Sequence, residues 1–406
     1  MICRSCHAEL GAPILDLGDS PISNAFRAID DPKPDALYPL RLFVCPSCFL
    51  AQVEDVVPRE RHFHDDYAYR SSASSSWREH VEAYARRMIG ELKLTAGRVM
   101  VEVGSNDGAL AGAFAAAGVR AIGIDPAGNA AEIAAKKGVE TVVGFFGLAL
   151  AERLAGEGVA ADLMAANNVL AHVPDLNDFV AGFARLLAPK GLVTFEFPLA
   201  SELLAQGQYD TIYHEHYSYL SLTALAPLFA RHGLEMTDVE RLPTHGGSVR
   251  LHVRRQGVAQ AAAAVAALVA EERAQGLADI AGYRGLAAKV SSHRDRLRAF
   301  LGGLKAEGLS IAGYAAPAKA TTLLNYCAIG TETLDYVVDR APTKQGRRIP
   351  GVGVPIFAPD HMTAAATDVV LILAWNIADE IADQLKPLVK RGVRLATPMP
   401  TPGFLP

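Results

Sequence analysis

The sequence predicts an α/β chain of three units: a cysteine-rich amino-terminal unit, a central Rossmann-like domain and a second Rossmann-like α/β domain at the carboxyl end. Three features point there. Two Cys-x-x-Cys pairs open the chain, Cys3 with Cys6 and Cys45 with Cys48. A strand, a glycine turn, a helix and a second strand follow between Gly97 and Pro126. The same order begins again at Leu309. The 406 residues, half of them hydrophobic, give material for about two to three domains. The net charge of -5, with no long block of Lys and Arg, gives no electrostatic support for a nucleic-acid or membrane partner. The start, MICRSC, lacks the layout of a signal peptide, and the Ala-rich run after Val258 meets Glu271 too soon to span a bilayer. A cytoplasmic protein is expected.

The cysteine pairs come first in the chain. Two such knuckles offer four thiolates in tetrahedral reach, the set that a structural Zn2+ takes. The 38 residues between the pairs must carry structure of their own. The rival readings are a redox pair and a disulfide framework. A redox pair opens a helix after a strand, whereas these two sit in a polar region. Disulfides are out of place in a cytosolic chain. Cys3, Cys6, Cys45 and Cys48 leave no open coordination position, so this metal is expected to hold the fold and do no chemistry. Cys327 then reads as an ordinary buried thiol.

In the central region an apolar run, Val99 to Val103, leads into a turn from Gly104 to Gly108 and an Ala-rich helix. A second strand, Ala121 to Ile124, ends at Asp125. The turn lets a ligand approach the backbone, and the aspartate can accept hydrogen bonds from two ribose hydroxyls. The third glycine of a dinucleotide fingerprint is missing, which disfavours NAD. Glu102 before the turn, with the G-x-x-D-G that contains Asn106 and Asp107, looks like the first motif of S-adenosylmethionine-dependent methyltransferases. The alternative is an α/β unit that binds no nucleotide. A fourth strand ends in the polar loop from Asn167 to Pro174, which places Asn167, Asn168 and His172 at a carboxyl strand end, where such sheets bind ligands.

A helical stretch, 261–307, connects to the last unit, because it lacks strand alternation. Beyond it, the turn Ala315, Ala316, Pro317 opens a helix carrying Lys319. A helix start attracts phosphate. The run TKQGRR adds Lys344, Arg347 and Arg348. These groups suit a diphosphate; the plain alternative is surface cations on a structural domain. The expected units are 1–78, 79–260, 261–307 and 308–406.

Nine strings now stand in order: the paired CxxC, DDYAYRSSAS, VEVGSNDG, NNVLAHVPD, DTIYHEHYSYLS, THGGSVR, GYAAPAK, DRAPTKQGRRIPG and LAWNIADEI. Together they resemble the NDP-deoxysugar C-methyltransferases of the tetronitrose and mycarose type, over essentially the whole chain. The resemblance implies a zinc-binding amino-terminal domain, a central S-adenosylmethionine methyltransferase domain and a carboxyl-terminal domain that helps to bind a dTDP-, CDP- or GDP-linked sugar. Lys319, Lys344, Arg348 and Asn376 are its expected substrate contacts. The sequence departs from the family at Ala315, where a glycine is usual.

The stretch TIYHEHYSYL, Thr211 to Leu220, is the most specific of these strings. C-methylation needs a carbon nucleophile, made by removing a proton α to a ketone, and histidine is the usual base near neutral pH. By resemblance the base maps to His216, with Glu215 orienting or polarising the site and Tyr213 contacting the sugar or its oxyanion. His172 and Tyr67 map to other positions lining the site. Either a tyrosine hydroxyl or neutral His172 could serve the enolate oxygen. If the segment is a strand, His214 and His216 share one face, which would suit a metal or a purely structural polar strand. An O- or N-methyltransferase acting on a similar sugar, and a non-catalytic sugar-nucleotide-binding protein, are the competing functions.

Overall fold

The structure is a computed structural model that describes residues 1–61, 71–364 and 366–406; Tyr67 lies outside the described residues. The amino-terminal region contributes β1 (Leu15–Pro21), β2 (Arg27–Ala28), β3 (Leu37–Val44) and β4 (Ala51–Val53). The central strands are β5 (Val99–Val103), β6 (Arg120–Asp125), β7 (Glu140–Val143), β8 (Ala161–Asn167), β9 (Leu187–Pro198), β10 (Ser218–Tyr219), β11 (Leu234–Leu242) and β12 (Ser248–Arg255). Their sheet runs β11-β12-β9-β8-β5-β6-β7, parallel from β9 to β7 and antiparallel at the β11–β12 end. Helices separate the parallel strands, so the inner strands are covered on both faces and read as unbroken apolar runs. Strand order reverses between β5 and β8, which opens a crevice at their carboxyl ends.

The carboxyl-terminal sheet is built from β13 (Ile311–Tyr314), β14 (Tyr336–Val338), β15 (Arg347–Arg348), β16 (Pro355–Phe357), β17 (Val369–Ile372), β18 (Arg394–Thr397) and β19 (Gly403–Phe404). Its order is β19-β18-β17-β13-β14-β16-β15-β2, and the reversal falls between β13 and β17. Helices Ala263–Ala274 and Leu286–Ala306 fill most of the stretch that joins the two large sheets.

Two strands cross between units. The amino-terminal sheet, β1-β3-β4-β10, takes its last strand from the HEH region, and β2 pairs with β15 of the carboxyl-terminal sheet. The cores are shared as well. Cys3, Cys45, Cys48, Phe43 and Leu50 pack in one core with Val101, Met164 and Phe195 of the central sheet. Leu15, Leu40 and Leu42 pack with Tyr209, Ile212, Leu323 and Trp375 in another. The amino-terminal unit is thus a brace between the two large sheets.

Candidate active site

The four cysteines meet at the amino terminus in two matching turns. Cys3 N–H donates to the Ala8 carbonyl and Cys45 N–H to that of Leu50; His7 and Phe49 donate back to Cys3 and Cys45. The Sγ atoms lie within 4.8 Å of one another, with Cys3 to Cys48 at 3.6 Å and Cys6 to Cys45 at 3.4 Å. Thiolates about 2.3 Å from a zinc stand roughly 3.8 Å apart at the edges of a tetrahedron. The set fits a closed structural zinc. The Cys48 thiol draws Cys3 down to about 4, while Cys48 itself is pushed up by that contact and by burial. Crowded thiols of this kind ionise together only around a cation. Arg4, inside the first turn, donates to the Pro174 and Val53 carbonyls, which ties the metal unit to the loop carrying His172.

The turn after β5 lies against Val169, just beyond β8. A Cβ on Gly104, where φ is +71°, would stand 2.4 Å from the Val169 side chain. Only glycine allows that approach. Asp125 accepts from the N–H of Asn106 at 2.8 Å and of Ala127 at 2.9 Å, so it fixes the turn from the end of β6. Glu102 is buried, accepts from Ala111 N–H at 2.8 Å, and is pushed up to about 8 by that burial. Asn106 and Asp107 turn to Ser71 and Ser72, whose N–H groups they accept at 3.0 and 3.3 Å. Around this crevice the Ser105 hydroxyl, the Asn129 and Asn168 carbonyl oxygens, the Thr141 hydroxyl and both polar atoms of the Asn167 amide are buried with no hydrogen bond among the described residues. Buried polar groups are normally paired. Such a ring at the switch point of the sheet fits a ribose, an adenine and an amino-acid tail, the polar parts of S-adenosylmethionine.

The HEH segment is not a strand. Tyr209–Thr211 forms a short 3-10 turn, the His216 N–H donates to the Tyr213 carbonyl, and only Ser218–Tyr219 joins a sheet. The two histidines therefore part company. His214 is buried under β3, beside Tyr38, and donates to the Pro39 carbonyl from Nε2 at 3.2 Å. His216 turns the other way. Its Nδ1–H donates to the Thr211 carbonyl at 3.0 Å, and its Nε2 accepts from the Tyr213 hydroxyl at 2.7 Å. The His172 ring stands edge-on at 4.6 Å and donates from Nδ1 to the Glu215 carbonyl at 2.8 Å. Burial holds His216 well below the ordinary histidine value and brings His172 to about 4, so both rings are neutral near pH 7. The shared-face metal site is overturned with the strand: among the described residues, the four cysteines are the grouping of His, Cys, Asp and Glu able to hold a metal. The Glu215 side chain is buried and accepts from Asn24 Nδ2 at 3.0 and 2.8 Å; burial pushes the carboxyl up to about 7.

The expected phosphate contacts divide. Lys319 and Asn376 come together at the switch point of the carboxyl-terminal sheet, where Nζ donates to Oδ1. Lys344 donates to the Ala316 carbonyl at 2.8 Å, at the turn after β13. Arg348 faces elsewhere: it pairs with half-buried Asp35 at 2.6 Å, so its charge is already balanced. Three neighbours of the site escape sequence reasoning. Asn24 reaches Glu215 from 191 positions away. Asp210 accepts from the Trp375 indole at 2.6 Å across 165 positions. His245 contacts Asn168 at 3.3 Å. The Gly246-Gly247 pair after His245 was the one local sign: a Cβ on Gly246 would stand 2.7 Å from the Trp375 ring.

Family profiles match the chain in three consecutive pieces. They are described as "Putative zinc binding domain" over residues 3–63, "Methyltransferase domain" over 77–239 and "C-methyltransferase C-terminal domain" over 243–400. The chain is 36% identical over 410 residues to C-methyltransferase NovU of Streptomyces niveus, which spans 99% of this chain and 96% of that one. Among solved structures, magnesium protoporphyrin IX methyltransferase of Synechocystis PCC 6803 with bound SAM shares 15% identity at a TM-score of 0.34, over 44% of this chain and 79% of that one. The CcbJ methyltransferase of Streptomyces caelestis shares 17% at 0.34, over 43% and 89%. Both likenesses are too slight to carry an argument. Fold, cofactor crevice and zinc unit define an S-adenosylmethionine-dependent methyltransferase. The chain belongs to the C-methyltransferase family. No helix among the described residues is long and apolar enough to cross a membrane.

Proposed function

We propose that the protein methylates a carbon next to the ketone of a nucleotide-linked 4-keto sugar, with His216 as the base. The observation that carries this reading is the fixed tautomer of His216. The Thr211 carbonyl holds the proton on Nδ1, so the lone pair lies on Nε2, and the ring is neutral. A neutral imidazole with a directed lone pair is what proton abstraction needs. The substrate carbon displaces the Tyr213 hydroxyl from Nε2 and gives up its α proton there. Thr211 goes on accepting from Nδ1–H, which steadies the imidazolium. Tyr213 and His172 line the reacting carbon, and buried Glu215 backs the segment. The sulfonium of S-adenosylmethionine supplies an electrophilic methyl group, and Asp125, Asn167 and Asn168 are read as its binding side chains.

The nucleotide lies against the carboxyl-terminal sheet, with its diphosphate at the turn Ala315 to Pro317 near Lys344, so the sugar reaches toward the central sheet. The zinc unit works as a brace. The division into 1–78, 79–260, 261–307 and 308–406 is a division of labour, although strands cross it. A cytoplasmic location fits four thiols that must stay reduced. The test is incubation with S-adenosylmethionine and dTDP-, CDP- and GDP-linked 4-keto-6-deoxy sugars, read by mass. One added methyl group that survives acid hydrolysis as a branched sugar supports the reading. Addition to oxygen or nitrogen, or to no sugar of the panel, contradicts it.

A further inference from the structure

A ketone that loses its α proton gathers charge on oxygen, and a donor aimed at that oxygen is the strongest help a site can give. The two histidines are badly placed to be that donor. His216 and His172 commit their Nδ1 hydrogens to the Thr211 and Glu215 carbonyls. Each neutral ring then carries a lone pair at Nε2, which accepts and does not donate. Tyr213 gives its single hydroxyl hydrogen to His216 until the substrate carbon displaces it, and a neutral phenol brings no positive charge to the oxygen.

Lys319 is carried by a helix, Ala318–Tyr326, that packs against the same segment: Thr322 Oγ1 donates to the Ile212 carbonyl at 2.8 Å. Lys319 lies one turn earlier on that helix face. Its Nζ is 4.3 Å from the centre of the Trp375 ring and donates to Asn376. The Trp375 indole donates to Asp210, the neighbour of the Thr211 that holds His216. The second Asp210 oxygen is buried with no hydrogen bond among the described residues. The Lys319 charge also reaches His216 and His245, where it disfavours the protonated rings. An ammonium has three hydrogens, and Asn376 takes one.

We propose that Lys319 is a catalytic residue whose ammonium donates to the ketone oxygen of the sugar as the enolate forms, and is not a diphosphate ligand. This rests on the base-and-ketone reading above. As the α C–H bond breaks, its proton goes to His216 Nε2 and its electron pair forms the C=C bond. The carbonyl π pair moves onto oxygen, which Lys319 holds without losing its own proton. Bound S-adenosylmethionine would supply the methyl group that the enolate carbon takes with its C=C pair, while the oxygen pair re-forms the C=O bond beside Lys319. Trp375 and Asp210 are positioning residues for the ammonium.

The test follows α-proton exchange into deuterated water, without methyl donor, on the 4-keto sugar nucleotide that wild-type protein exchanges. Lys319→Met is expected to slow exchange at saturating sugar by about 10²–10³-fold. Its affinities for S-adenosylmethionine and for the free nucleoside diphosphate should stay at wild-type values. Lys319→Arg, which keeps the charge, should recover part of the rate. If Lys319→Met does not fold, as S-adenosylmethionine titration would reveal, Lys319→Gln takes its place with the same expectation. Exchange at the wild-type rate, or a loss of nucleoside diphosphate affinity with the saturated rate intact, overturns the role of Lys319 and restores the phosphate role. A wild-type protein that exchanges no α proton on any sugar of the panel overturns the base-and-ketone reading itself.

Discussion

At the scale of residues, one carboxyl and one imidazole show how burial sets the chemistry. Glu215 holds its proton to about pH 7 in the folded chain, against an ordinary value of 4.5. Across that window the folded state binds more protons than the unfolded one, so stability falls as pH rises from the lower value through the upper. Glu215→Gln removes the titration. The variant should match the parent near pH 4.5 and gain on it toward pH 8, by up to about 3 kcal/mol. Denaturant unfolding at several pH values measures this, and an unchanged pH profile would contradict the burial of the carboxyl. His216 shows the same effect with opposite sign: burial favours the neutral ring, the form that can take a proton. Composition alone carries neither shift. The glutamate and the imidazole were legible as residue types, but their environments come from Asn24 and Thr211, and no spacing rule announces Asn24.

At the scale of elements, the strand–turn–helix units were legible because apolar runs, glycine turns and an acidic strand end recur in order. The crevice repeats in both large sheets. Gly104 N–H donates to the Ile124 carbonyl, and Ala315 N–H to that of Val338. Asp125 accepts from Asn106 N–H at 2.8 Å, and Asp339 from Ala316 N–H at 2.7 Å. Ala315 adopts a φ of +68°, so the alanine keeps the left-handed turn that glycine makes more easily. The sequence left open whether the HEH segment is a strand, because alternating polar and aromatic residues imitate period two. Its course is set instead by contacts with distant partners, Pro39 for His214 and Ile212 under Thr322. Asp125→Ala should weaken S-adenosylmethionine binding by roughly 1.5–3 kcal/mol for each charge-assisted bond lost. Titration calorimetry reads it, and an unchanged affinity would move the ribose elsewhere.

At the scale of the whole molecule, the sequence showed three units but not that they share cores. The contacts between units join residues far apart in the chain, and such pairs leave no local pattern. The consequence is mechanical. The zinc unit packs with the central sheet, and its Arg4 holds the Pro174 carbonyl near His172. Elemental analysis should find about one zinc per chain. Cys45→Ser should lower thermal stability and also turnover, since metal binding there is folding energy; a variant with normal turnover would detach the zinc unit from the site. Truncation after residue 307 should do more than remove the sugar-nucleotide contacts, because Leu15, Leu40 and Tyr209 would lose their cover.

The central claim is that His216 takes the α proton. The most direct measurement is hydrogen exchange of a 4-keto sugar nucleotide in deuterated water without methyl donor, comparing wild type with His216→Ala. Loss of exchange by about 10²–10⁴-fold, with sugar and S-adenosylmethionine affinities nearly unchanged, is the expected result. Exchange at the wild-type rate in His216→Ala would place the base elsewhere, with His172 the first candidate.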